Sequence, residues 1–311
     1  MNHHVTGLHH ITAISSDAKR NLQFYTKVLG LRFVKKSVNQ DDTGTYHLYY
    51  GNYTGAPGTA LTFFPWEGLR HGRPGRGQAY ATAFSVPAGS LPFWQERLAH
   101  FKVATFSREE RYGDEVLPFV DHDGLRLELV ATNENDPRPP TPSAEIPAGY
   151  AIRGFHSATL ALNETAPTAA VLTGQMGYRQ VNAGGYRTRF TAGAGGPGTY
   201  VDLLVDPSIP RGLNGAGTIH HVAFRVPDDA AQAAAHAVLQ QHALQVSPVI
   251  DRAYFKSIYY REPAGVLFEI ATDAPGFAID EPVESLGAKL SLPPHLEPHR
   301  AEIEANLPKL M

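Results

Sequence analysis

Strict alternation of apolar and polar positions returns four times along the chain, in Leu8–Ser15, Tyr80–Pro87, Phe155–Leu162 and His220–Pro227. A period of two predicts a half-buried strand at each. Spacing of three and four follows each time, over Asp17–Leu29, Ser90–His100, Ala166–Gln175 and Asp228–His242, and predicts one helix per stretch. Asp17, Ser90 and Asp228 are read as helix N-caps, because a short polar side chain there can accept from a free amide of the first turn. Further strand-like runs then follow, among them Thr45–Gly51 with Thr59–Phe64, Glu115–Asp121 with Leu125–Ala131, Tyr186–Thr191 with Thr199–Val205, and Ser257–Arg261 with Val266–Thr272. The repeating unit is βαβββ, present four times, and the fold class is α+β.

The stretch 132–150 is rich in proline and polar residues, continues neither a helix nor a strand, and reads as a linker between a first pair of modules (1–131) and a second (151–275). The glycine-rich run Ala192–Gly198 contains a proline and precedes a strand, so it is a hairpin connection and not a phosphate-binding turn. Residues 276–311 form an extension with one amphipathic helix over Glu297–Leu307, a packing or subunit-contact element that leaves a homo-oligomer open.

Composition narrows the chemistry. A chain of 311 residues, 42% of them hydrophobic, is long enough to bury a pocket. The net charge is −3, and the one basic cluster, Arg70–Arg76, is interleaved with glycine and proline, so no nucleic-acid surface is expected. The N-terminus MNHHVTG has no apolar signal region and no apolar run is long enough for a bilayer, so no membrane association and a soluble, cytoplasmic location are expected. With no cysteine, thiolate chemistry is excluded and any metal must sit on nitrogen and oxygen.

Two His-His pairs stand at strand beginnings, in GLHHITA (Gly7–Ala13) and TIHHVAF (Thr218–Phe224), and a strand-like GVLFEIAT (Gly265–Thr272) carries Glu269. Two imidazoles and one carboxylate hold a divalent metal while leaving positions open for substrate and oxygen. A carboxylate inside the apolar run around Glu269 is costly unless it has a partner. Each His-His pair offers one ring to a given face, since successive strand residues point to opposite sides.

With these motifs and four βαβββ units over roughly residues 5–275, the chain resembles the vicinal oxygen chelate (glyoxalase, bleomycin-resistance and extradiol dioxygenase) superfamily, and within it the ring-cleaving hydroquinone dioxygenases. The resemblance implies modules pairing into two cup-shaped mixed sheets, with the active cup made by the first and fourth. It implies the second histidine of each pair as ligand, giving His10, His221 and Glu269, with His9 and His220 on the other face or reaching the site indirectly. It implies iron(II) as the metal, with manganese(II) or another divalent ion able to replace it, and an aromatic diol and dioxygen as substrates. It also marks Arg252 to hold anionic oxygen, Tyr259 to hydrogen-bond it, His220 to move a proton, and His9 and Thr12 beside the ligands; Tyr260 competes with Tyr259 for the inward face.

Aligning the halves without gaps puts Ser157 opposite His10, Ala81 opposite His221 and Glu128 opposite Glu269, so the second cup keeps the carboxylate and lacks both imidazoles. Two other functions share the fold. A glyoxalase-type isomerase, lyase or transferase would need a fourth ligand on the last strand of the first module, where Phe63 and Phe64 stand. A non-catalytic sequestering protein would need no ligand set at all.

Overall fold

The computed structural model describes residues 5–310; Met1–His4, part of the stretch read above for a signal region, and Met311 lie outside it. Four βαβββ modules follow one another. The first comprises β1 (Gly7–Ser15), α1 (Ala18–Gln23), β2 (Arg32–Asn39), β3 (Asp42–Gly51) and β4 (Ala60–Pro65). The second comprises β5 (Gln78–Pro87), α2 (Leu91–His100), β6 (Glu109–Arg111), β7 (Asp114–Val120) and β8 (Arg126–Thr132). The third comprises β9 (Gly154–Ala161), α3 (Ala166–Ala170), β10 (Arg179–Gly184), β11 (Arg187–Thr191) and β12 (Tyr200–Leu204). The fourth comprises β13 (Ile219–Val226), α4 (Asp229–Gln241), β14 (Ile250–Asp251), β15 (Phe255–Arg261) and β16 (Leu267–Pro275).

The strands form two curled, mixed eight-stranded sheets, ordered β14-β15-β16-β13-β1-β4-β3-β2 and β10-β11-β12-β9-β5-β8-β7-β6. Each sheet therefore draws its modules from both halves of the sequence. Antiparallel β1 and β13 join the first module to the fourth, and β9 with β5 joins the third to the second.

Asp17 and Asp228 cap their helices as expected, accepting from the amides of Arg20 and Ala231 at 2.8 Å. Ser90 does not. Its hydroxyl donates back to the Pro87 carbonyl at 2.6 Å and so is not available to the first turn of α2. The helices after the first and third leading strands also relax into π-helical turns, Phe24–Val28 and Val171–Gln175, which periodicity does not foresee. On α4 the buried residues Ala231, Ala235 and Leu239 recur every four positions, the stripe that seats it on its sheet.

Alternation suggested strands with one wet face, yet β1, β4 and β9 are buried along their whole length. The face turned away from the core looks into a cup, and buried polar side chains stand on it in both, His10, Thr12 and Glu269 in one and Ser157, Thr159 and Glu128 in the other. The extension helps close the first one. Lys35 on β2 is fully buried and reaches Asp280 at 2.6 Å and Glu281 at 2.5 Å. A buried ammonium requires such partners, and here they pin the extension over the cup, so that Ile279 and Leu292–His295 become part of its wall. The helix expected over Glu297–Leu307 is α5 (Arg300–Asn306) after a 3₁₀ turn at Glu297–His299, and Ile303 and Leu307 bury into the core of the same chain.

Candidate metal centre

Register brings together residues from opposite ends of the chain. Ala223 on β13 pairs with His10 on one side and with Glu269 on the other, and His221 pairs with Thr12. His10, His221 and Glu269 are all buried, and their nearest donor atoms form a triangle: His10 Nε2 to His221 Nε2 3.3 Å, His10 Nε2 to Glu269 Oε2 3.3 Å, and His221 Nε2 to Glu269 Oε2 3.0 Å. Ligands at right angles around one ion lie √2 bond lengths apart, so this triangle suits bonds of about 2.1 to 2.3 Å, the range for imidazole and carboxylate on a divalent metal.

Protons argue the same way. His9 Nε2 faces the Thr272 carbonyl at 3.1 Å, and a carbonyl only accepts, so that nitrogen carries the hydrogen and His9 Nδ1 is bare. His10 Nδ1, 2.8 Å away, must then be the donor, so a neutral His10 ring aims the lone pair of its Nε2 at the triangle. His9 is thus a buried brace for the His10 ring, the role that partners of ligating histidines commonly fill. Burial pushes the His9 imidazole down to about 3, so it stays neutral. Glu269 Oε2 has no conventional hydrogen-bond partner, while Oε1 accepts from Ser257. Burial alone would raise the Glu269 pKa, but positive charge at the His10 and His221 positions outweighs it and holds the carboxyl well below its ordinary range; with both rings neutral, a cation between them would supply that charge. An ionised oxygen and a bare nitrogen converging without a proton between them are a donor set suited to a cation.

The alternation rule needs a correction here. His9 is an extra residue on β1, between the pairs Leu8 with Phe224 and His10 with Ala223; His220 is its counterpart on β13, between His221 and Ile219. Each is a β-bulge, which re-aims a side chain by breaking the two-residue period. Neighbouring rings can then touch, as His220 Nδ1 and His221 Nδ1 do at 2.8 Å. His220 is consequently not on the far face: it lines the same cavity as His221.

That cavity has a volume of about 900 Å³, ample for a substituted aromatic ring. Arg252 and Tyr259 line it, with Arg252 Nε donating to the Tyr259 hydroxyl at 3.2 Å and the guanidinium also reaching Gln40 Oε1 at 3.4 Å. Burial raises the Tyr259 phenol above its ordinary range, so it remains a donor. Tyr260 points the other way, buried with its hydroxyl on Met176 Sδ at 3.1 Å. Thr12 is fully buried, bonds Thr62 at 2.7 Å, and does not line the cavity.

Sequence reading missed several wall residues: His47, Tyr49, Trp66, Tyr254 and Phe255. Tyrosines and histidines inside apolar strands read as core, and only closure of the sheet shows that they face a void. The fourth-ligand position was also misplaced by one residue. Thr62 pairs with Thr12 as Glu269 pairs with Ala223, so the local two-fold relating β1 to β13 makes Thr62, not Phe63 or Phe64, the mirror of Glu269. Its hydroxyl is taken by Thr12 and by His47 Nε2 at 2.9 Å. No fourth carboxylate stands there, which disfavours a closed glyoxalase-type centre.

Comparisons with known proteins agree with this architecture. The family model described as "Glyoxalase/Bleomycin resistance protein/Dioxygenase superfamily" matches residues 7–270. The chain is 46% identical over 301 residues to MhqO of Bacillus subtilis, named as a ring-cleaving dioxygenase, covering 97% of this chain and 95% of that one. It is 35% identical over 307 residues to the chlorohydroquinone/hydroquinone 1,2-dioxygenase of Sphingobium indicum, covering 96% and 95%. A crystal structure of a Bacillus subtilis protein, described as a dioxygenase, superposes with a TM-score of 0.94 at 45% identity, covering 99% and 98% of the two chains. Glyoxalase I from Zea mays, at 13% identity and a TM-score of 0.64 over 86% and 92%, shares the fold. With a match spanning most of its length and close relatives covering nearly all of it, the chain belongs to the glyoxalase/bleomycin resistance protein/dioxygenase superfamily.

Proposed function

We propose that this protein is a ring-cleaving dioxygenase that binds iron(II) through His10, His221 and Glu269 and opens a hydroquinone- or catechol-type diol with dioxygen. The observation that carries the reading is the triangle of three buried donor atoms 3.0 to 3.3 Å apart, with His10 and His221 also lining an aromatic cavity. The relatives' names, which specify ring cleavage and hydroquinone, support the reaction class. Two imidazoles and one carboxylate on one face suit iron(II) with open positions, and the bound ion would supply a Lewis acid and a one-electron path between ring and oxygen.

The chain's own groups supply the rest. Phe64, Trp66, Phe255 and Tyr254 give an apolar stretch of wall against which an aromatic ring can pack. Arg252 holds Tyr259 by its oxygen, which leaves the phenol hydrogen free to donate to a substrate oxygen that becomes anionic, with the guanidinium charge behind it. His220 is the proton-transfer group in this reading. Its Nδ1 accepts from His221 Nδ1, which keeps His221 Nε2 bare, so the His220 ring, which lines the cavity, carries its hydrogen on Nε2 and can hand it to a developing substrate oxyanion. His9 and Thr12 act at one remove, His9 on the ring of His10 and Thr12 on Thr62.

The test is oxygen-electrode screening of anaerobically iron-loaded protein against hydroquinones, chlorohydroquinones and catechols. Uptake of one dioxygen per diol, with loss of the aromatic absorbance, is the expected result. Stoichiometric iron with no oxygen uptake on any diol would overturn the reading.

A further inference from the structure

The local two-fold that relates His10 to His221 also relates the strands outside them. Tyr49 on β3 pairs with Thr62 as Tyr259 on β15 pairs with Glu269, so the two tyrosines are mirror residues on opposite flanks of the triad, and both line the cavity. Their supports differ. The Tyr259 oxygen accepts from Arg252, which makes Tyr259 a one-way donor. The Tyr49 hydroxyl instead lies 2.7 Å from His47 Nδ1, and His47 Nε2 lies 2.9 Å from the Thr62 hydroxyl, itself 2.7 Å from that of Thr12.

Every member of the chain Thr12, Thr62, His47, Tyr49 can both donate and accept, so the chain can run in either direction without losing a bond. The His47 ring also packs against two other rings, with centroids 4.0 Å from Tyr49 and 4.4 Å from Phe64. Tyr49 is only 4% exposed and its hydroxyl has one protein partner, which leaves one further bond to make. Nothing in the reaction assigned above uses it.

We propose that Tyr49, positioned by His47, is a second substrate contact: it holds one oxygen of an aromatic diol while Tyr259 and Arg252 hold the other, and so selects diols over monophenols. The inference rests on the dioxygenase reading and adds the residue that recognises the second hydroxyl. Physically, a diol satisfies both tyrosines, whereas a monophenol leaves the bond of the buried Tyr49 hydroxyl unmade, the situation in which polar recognition discriminates most strongly. The reversible chain lets Tyr49 meet the second oxygen as donor or as acceptor.

The experiment measures anaerobic binding of hydroquinone and of phenol to the iron-loaded protein, wild type against Tyr49→Phe and His47→Gln, with iron content determined on the same samples. Wild type is expected to bind hydroquinone more tightly than phenol. Tyr49→Phe should weaken hydroquinone about tenfold, the worth of one hydrogen bond, and leave phenol and iron unchanged. His47→Gln should reduce the same ratio in part. Equal losses on both ligands, or none, in Tyr49→Phe overturn the proposal, as does a wild type that does not discriminate. Should Tyr49→Phe not fold, His47→Gln decides on the same ratio. Failure of the dioxygenase reading looks different: no diol would support oxygen uptake by the wild type.

Discussion

The two cups share one backbone plan and solve opposite electrostatic problems. Ala83 pairs with Ser157 and Glu128 as Ala223 pairs with His10 and Glu269, and Thr159 pairs with Ala81 as Thr12 pairs with His221. Glu128 therefore stands where Glu269 does, but with Ser157 and Ala81 beside it in place of two imidazoles. A buried carboxylate still needs a cation, and Arg111 supplies it through two bonds, Nη1 to Oε2 at 2.8 Å and Nη2 to Oε1 at 3.0 Å. Asp202, at the position of Thr62, is clamped likewise by Arg189 at 2.8 and 3.0 Å. In the first cup the arginine matching Arg111 is Arg252, which turns to Tyr259 and leaves Glu269 to the imidazoles. Tyr259 is what Pro118 is in the second cup, so the tyrosine that draws Arg252 away has no counterpart there. One cup keeps its positive charge in side chains, and the other has donors left over for an ion.

The sharpest break in that comparison is Glu269→Ala, which should abolish both iron retention and oxygen uptake while the far-ultraviolet dichroism stays native. His10→Ala and His221→Ala should do the same, and any one of them that keeps full iron and turnover removes that residue from the proposed ligand set. The second cup should respond in stability and not in catalysis. Arg111→Met leaves Glu128 buried without a cation and should cost about 3 to 5 kcal/mol in denaturant unfolding. Adding Glu128→Leu should recover most of this, and turnover per folded molecule should stay near wild type in both; a large loss of turnover would make the second cup part of the active machinery.

Acid gives a smaller effect of known sign. Burial tends to raise the Glu128 carboxyl, but Arg111 overcomes it and lowers it from 4.5 to about 2. A depressed carboxyl stabilises the fold above its unfolded value, and that contribution fades as pH falls from about 4.5 toward 2. The stability gap between wild type and Glu128→Gln should thus be largest near neutrality and shrink across that window. A gap independent of pH would mean that Glu128 is not the group that titrates.

Much of this was legible along the chain. The four alternating runs, the helices after them and the ungapped match of Ser157 to His10, Ala81 to His221 and Glu128 to Glu269 depend on local period and spacing, which sequence carries directly. His47 and Tyr49 were not legible, since a strand residue shows its face only when its neighbours are known. Nor was Thr62, whose pairing with Thr12 corrected a one-residue error in the mirror position. The bulges at His9 and His220 were hidden for the same reason: a bulge is a mismatch between two strands, and neither strand contains it alone.

By itself, then, the sequence determined the modules, their order, the donor types available and the loss of both imidazoles from the second copy, because each follows from residue identity and short-range period. Tertiary structure decided which faces close on a cavity, which nitrogen of His10 is bare, how Arg252 and Arg111 take different partners, and that the extension behind Lys35 completes the wall. Those outcomes depend on distances between residues as many as two hundred and sixty-three positions apart, as from His9 to Thr272, and only the packed sheets set such distances.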